Sequence, residues 1–141
     1  MAFAGINHWA ILLAAVAGWL TGAVWYTILG KIWMKSLDRK KSDLRKTKGG
    51  AAFYAPFVIA FIACVVMAWT LAGIMGHLGP GQVTVRNGVI SALFIWFGFV
   101  LTTIAVNNAF ANRKLLLTVI DAGHWLAALA VMGATIGIIG V

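Results

Sequence analysis

The sequence predicts an all-α membrane protein, a bundle of four transmembrane helices in a single domain over residues 1–141. Three observations carry this. Apolar residues make up 62% of the chain and charged residues only 10%, against about 45–50% and about 25% in soluble domains. Four stretches nearly free of charge each match the roughly 20 residues that a helix needs to cross about 30 Å of hydrocarbon. The charges gather between those stretches.

Taken in order, the apolar bodies cover about residues 9–29, 53–75, 88–106 and 115–138. Lipid offers the backbone no hydrogen-bond partner, so each is expected to be helical. None shows the alternation of a barrel strand. The first is not expected to be a signal peptide, because it lacks a basic leading region and its apolar run is longer than usual. The turn between spans two and three is Gly76-His77-Leu78-Gly79-Pro80-Gly81, a breaker sequence by composition. No second domain, soluble linker or internal repeat is visible.

Eleven Lys and Arg stand against three acidic residues. Ten of the eleven lie in Lys31–Gly50 and at Arg113-Lys114, between spans one and two and between spans three and four. The positive-inside rule places both loops in the cytoplasm, hence both termini outside. Trp33, Leu37 and Leu44 form an apolar stripe among the basic residues of Ile32–Leu44. This stripe predicts a short amphipathic helix on the membrane surface. Lys35, Arg39, Lys40, Lys41, Arg45 and Lys46 would face anionic headgroups there, each attracted by about 1 kcal/mol. Two readings stand: the charges only fix topology, or they also dock an acidic partner. Nucleic acid is not expected, since no accompanying fold or base-stacking surface is present.

Small residues mark helix contacts. Gly18 and Gly22 form one G-x-x-x-G and Gly133 and Gly137 another, a spacing that lets backbones approach closely. Ala60, Cys64 and Ala68 form a similar stripe in span two. These faces pack either within the bundle or between protomers. The seven tryptophans include Trp9, Trp25, Trp33 and Trp125 near span ends or in the first loop, where interfacial anchoring accounts for them. The lone Cys64 leaves no disulfide and no cysteine metal site.

Asp121 is the one acidic residue within a span, about seven residues or roughly 10 Å past Lys114. His124 shares its helix face. A charged Asp at mid-helix costs about 2.5–3.5 kcal/mol, so it should face protein, find a partner or be protonated. Tyr26 and Asn107 lie at similar depth, and a cluster of Tyr26, Asn107, Asp121 and His124 is expected. It is either a proton relay or solute site, or a static network that fixes helix register. Asp-x-x-His is not a metal site, having two ligands where three or four are needed. His124 could also serve as an axial ligand to a haem or pigment, and the residues identify no particular cofactor.

Trp25-Tyr26 is followed by Gly30-Lys31 and Trp33. Span three carries Trp96-Phe97-Gly98-Phe99, and span four carries Asp121-Ala122-Gly123-His124-Trp125 and then Met132-Gly133. With these motifs the chain resembles, over nearly its whole length, a family of small bacterial membrane proteins of unknown function, DUF1761. The resemblance implies a four-span architecture in a bacterial cytoplasmic membrane and no mechanism. Relatives often carry Trp-Tyr-Ser-Pro where this chain has Trp25-Tyr26-Thr27-Ile28, so the bending proline is absent. Neutral polar groups near the Asp–His pair in relatives favour hydrogen bonding over a charge-dependent relay.

The function expected is therefore a non-enzymatic accessory or structural subunit of a membrane assembly, in a homo-oligomer or a larger complex. The alternative is a small oligomeric channel or proton-linked transporter using Asp121 and His124. An enzyme ranks last, since no nucleophile–base pair or metal set is visible.

Overall fold

A computed structural model describes residues 7–37 and 51–141. Four helices in it are long and apolar enough to cross a membrane, and the described residues contain no strand. Helix α1 is His8–Ser36, α2 is Ala51–Gly76, α3 runs over Val85–Phe110 and α4 is Leu115–Ile139. The chain thus has the four apolar helices of a multi-pass membrane protein.

The helix ends follow local chemistry. Asn7 caps α1, its side-chain oxygen accepting from the backbone N–H of Trp9 at 3.1 Å and Ala10 at 3.3 Å. These are donors that a helix start leaves unpaired. Thr84 caps α3 by accepting from Asn87 N–H at 3.2 Å. Between α2 and α3, Gly79 (φ 101°) and Gly81 (φ 74°) take backbone angles that a side chain would oppose. Asn112 turns the chain from α3 into α4 at φ 50°, one of the few residue types that tolerates it.

The last helix is the centre of the bundle. Helix α4 packs along α1 on one side and α3 on another, and α1 also packs on α2. Of the four candidate spans, α4 is the most buried and α3 the least. Leu71 and Met75 of α2 meet Leu129, Met132 and Ile136 of α4 in the core, with Ala14 and Ala15 of α1 and Ala92 of α3 as the small counterparts. Small residues bring helices together where lipid supplies no hydrophobic drive. The stripe in α2 behaves this way: Cys64 and Ala68 are buried, and Ala72 continues the row.

Both G-x-x-x-G pairs are spent inside the chain. A side-chain carbon at Gly18 would strike Met132 of α4, and one at Gly22 would lie 2.7 Å from His124 Nε2. On the other side of α4, Gly133 lies against the backbone carbonyl of Gly88, and Gly137 against Thr84 and Val85. Gly88 completes this contact and was not singled out from the sequence.

Two sequence expectations need correction. Of the surface helix expected over Ile32–Leu44, the part up to Ser36 belongs to α1, and the part after Leu37 lies outside the described residues. Trp33, the first residue of the apolar stripe, donates to Asp121 of α4. Lys31 and Lys35 are exposed at this end of α1. Arg39, Lys40, Lys41, Arg45 and Lys46, and with them most of the basic loop, lie outside the described residues. Second, α3 is not uniformly α-helical. Its middle, Trp96–Leu101, is a π-helical segment between Val85–Ile95 and Thr102–Phe110. Such segments recur at functional sites.

Candidate functional site

Helix α4 presents Asp121 toward the C-terminal third of α1. One carboxylate oxygen, Oδ1, accepts two bonds: the Tyr26 hydroxyl donates at 2.7 Å and the Trp33 indole N–H at 2.9 Å. Tyr26 and Trp33 are seven residues apart, two turns, so they share one face of α1. Their rings meet edge to face, with centroids 5.5 Å apart at 70°. An indole N–H can only donate, so Oδ1 acts as acceptor. Among the described residues no ion pair reaches Asp121; its partners are neutral.

His124 lies one turn further along α4. Its ring sits against Tyr26, centroids 5.0 Å apart, and against Trp125 at 4.6 Å. Gly22 of α1 makes the room, since any side chain there would meet the imidazole. His124 is only 8% exposed, and its Nδ1 is buried without a hydrogen-bond partner.

The reason is visible by contrast with His77. At the end of α2, His77 Nδ1 lies 2.7 Å from the carbonyl of Gly73, four residues earlier. The equivalent carbonyl for His124 is that of Ile120, and it instead accepts the indole N–H of Trp25 at 3.1 Å. One residue pair along, the Trp96 indole N–H donates to the Ala122 carbonyl at 2.7 Å. Three tryptophans, two from α1 and one from the π-helical segment of α3, thus converge on residues 120–122. Gly123 leaves the space in which the Trp25 ring lies.

The structure therefore brings together Tyr26, Asp121 and His124. It does not bring in Asn107, which is exposed on α3 and is not among the groups bonded to Asp121. Its neighbour Asn108 faces α4 and donates to the Thr118 hydroxyl at 3.0 Å. The helix phase at the end of α3 follows the π-helical segment, which adds residues per turn and shifts every later position.

Sequence reasoning missed Trp25, Trp33 and Trp96 as members of the site, having assigned Trp25 and Trp33 to interfacial anchoring. A signal was present: a buried indole needs an acceptor, and Trp33 stands two turns from Tyr26 on one face. His8 is exposed at the start of α1, and no group of three or more His, Cys, Asp or Glu among the described residues could hold a metal.

The search of curated proteins and the search of solved structures return no match to the chain. The sequence profile of the family described as "Protein of unknown function (DUF1761)" matches residues 9–137. That span takes in all four helices but for His8, Ile138 and Ile139, and every residue of the Asp121 cluster. The chain belongs to the DUF1761 family.

Proposed function

We propose that this chain is a non-enzymatic subunit of a membrane assembly in the bacterial cytoplasmic membrane, joined to its neighbours through the outward face of α3. The observation that carries the reading is the asymmetry of that helix. It packs on the bundle by one edge, through Gly88, Ala92 and Trp96, and turns Phe94, Phe97 and Phe99 outward, 67–75% exposed. In this reading the Asp121 cluster is a tie that fixes the register of α1 against α4. Both termini lie outside, and the basic segment after α1 rests on anionic headgroups, following the distribution of Lys and Arg.

The test is site-specific photo-crosslinking in native membranes, with a benzophenone side chain in place of Phe97 or Phe99. A discrete adduct with another chain, or with a second copy, supports the subunit reading. Adducts with lipid alone at both positions reject it. Orientation is checked separately, on a Cys64→Ala background, by labelling His77→Cys and Lys114→Cys with an impermeant thiol reagent in intact cells. Labelling of the second and not the first would reverse the assigned topology.

A second reading has its own observation. The unpartnered, buried Nδ1 of His124 beside Tyr26 and Asp121 is what a small oligomeric channel or proton-linked transporter would need along its path. Reconstituted liposomes test it. Unchanged flux of protons and of monovalent ions in both Asp121→Asn and His124→Ala would sink this reading.

A further inference from the structure

Asp121 is an acidic group in an apolar span whose bonded partners among the described residues are neutral. Oδ1 is used twice, and Asp121 itself is only partly buried. Around it stand aromatic rings, Tyr26, Trp33 and, through His124, Trp125, all of them partly exposed. The buried Nδ1 of His124 is a polar atom in the same stack without a partner.

A carboxylate set among aromatic rings is the chemistry that recognises organic ammonium ions. The ring quadrupoles attract a weakly hydrated cation, and the carboxylate supplies the opposite charge. A metal ion fits poorly: one carboxylate and one imidazole fall short of the three or four protein ligands that zinc takes and of the six oxygens that hard cations take. The low dielectric of the span strengthens the attraction for a monovalent cation that sheds water easily.

We propose that Asp121, Tyr26, Trp33, His124 and Trp125 form a binding site for a lipophilic organic ammonium. The carboxylate pairs with the charge, the rings line the apolar body, and Tyr26 and Trp33 hold the carboxylate in place. The site does not depend on α3 docking to a partner or on any flux, so its test is a binding measurement.

The full chain in lipid nanodiscs is titrated with benzyltrimethylammonium and with neopentylbenzene, its uncharged isostere, following tryptophan fluorescence. The expected result is saturable binding of the cation, at least tenfold tighter than the isostere. Asp121→Asn should weaken the cation at least tenfold and leave the isostere unchanged. Equal partitioning of the two probes, or cation binding indifferent to Asp121, overturns the proposal. Should Asp121→Asn fail to fold, Trp125→Leu serves, because no hydrogen bond of the Asp121 tie passes through that ring. It should weaken the cation several-fold, and unchanged cation binding there counts against the site.

Discussion

The two halves of α4 are held by different chemistry. The half nearer its start, residues 117–125, is held by directed polar contacts: two donors on Asp121 and two indole N–H groups on the carbonyls of Ile120 and Ala122. The second half, from Ala128 to Gly137, is held by close packing: Leu129, Met132 and Ile136 fill the core, and its glycines admit the neighbouring helices. There Gly133 and Gly137 let the backbone of α3 come into contact, and Gly18 admits Met132 from the α1 side. One half depends on which polar groups meet, and the ring contacts at Gly22 and Gly123 yield only as far as side chains can move. The other tolerates a change of neither size nor shape, because a backbone cannot step aside as a side chain can.

The largest effect should come from the glycine half. Gly133→Ala places a carbon against the Gly88 carbonyl, a contact with no flexible partner to yield. We expect a loss of about 3 kcal/mol, at the upper end for overpacking, read by denaturing-detergent titration of tryptophan fluorescence. Gly98→Ala is the control: nothing lies near that position, so its cost should stay within about 0.5 kcal/mol. Equal costs at the two sites would remove the argument that α3 and α4 touch through glycine.

How far each half was legible in the sequence follows from the same difference. Four apolar runs of spanning length announce four helices, since hydrophobic length is a property of each segment alone. Gly133 and Gly137 were visible as a spaced pair, but Gly88 was not, because its partner lies on another helix and spacing within a chain says nothing about what faces it. Asp121, His124 and Tyr26 stood out as the polar groups an apolar span has to accommodate. Asn107 was placed in the cluster by its depth, and depth does not say which face of α3 a residue takes, a face that the π-helical segment at Trp96–Leu101 helps to set. The tryptophans misled for a different reason. An indole near a span end suits the interface and an interhelical bond equally well, and only the neighbour's carbonyl decides.

The polar half should break more gently. Asp121→Ala removes the shared acceptor of Tyr26 and Trp33. Interhelical hydrogen bonds in membranes are worth about 0.6 kcal/mol on average and about 1.7 at most, so two of them predict a loss of about 1–3 kcal/mol in the same titration. Asp121→Asn keeps an acceptor oxygen of the same shape and should lose less than half of that. An Asn variant as damaged as the Ala variant would show that the two bonds to Oδ1 are not what the tie consists of.

A double-mutant cycle separates the two donors. Tyr26→Phe removes one hydroxyl and keeps the ring against Trp33 and His124. Combined with Asp121→Ala, it should show a coupling of about 1 kcal/mol, since a phenol with no acceptor has little left to lose. The same cycle with Trp25→Phe should show much less coupling to Asp121. Trp25 bonds to the Ile120 carbonyl, which Asp121→Ala leaves in place. Comparable coupling for both would mean that residues 120–122 respond as one rigid unit rather than through named bonds.

The smallest effect discriminates most finely, because it tests the helix phase set by the π-helical segment. Asn108→Ala takes away the donor to the Thr118 hydroxyl and should cost about 0.6 kcal/mol, the average for such a bond. Asn107→Ala, one residue away on the exposed face, should change stability by no more than about 0.5 kcal/mol in either direction and should not couple to Asp121. A coupling between Asn107 and Asp121 instead of between Asn108 and Thr118 would mean that α3 reaches its end in the phase of a regular helix. In that case the wider turn at Trp96–Leu101 would not persist in the membrane, and the Trp96 bond to Ala122, which fixes α3 beside the polar half of α4, would have to be redrawn with it.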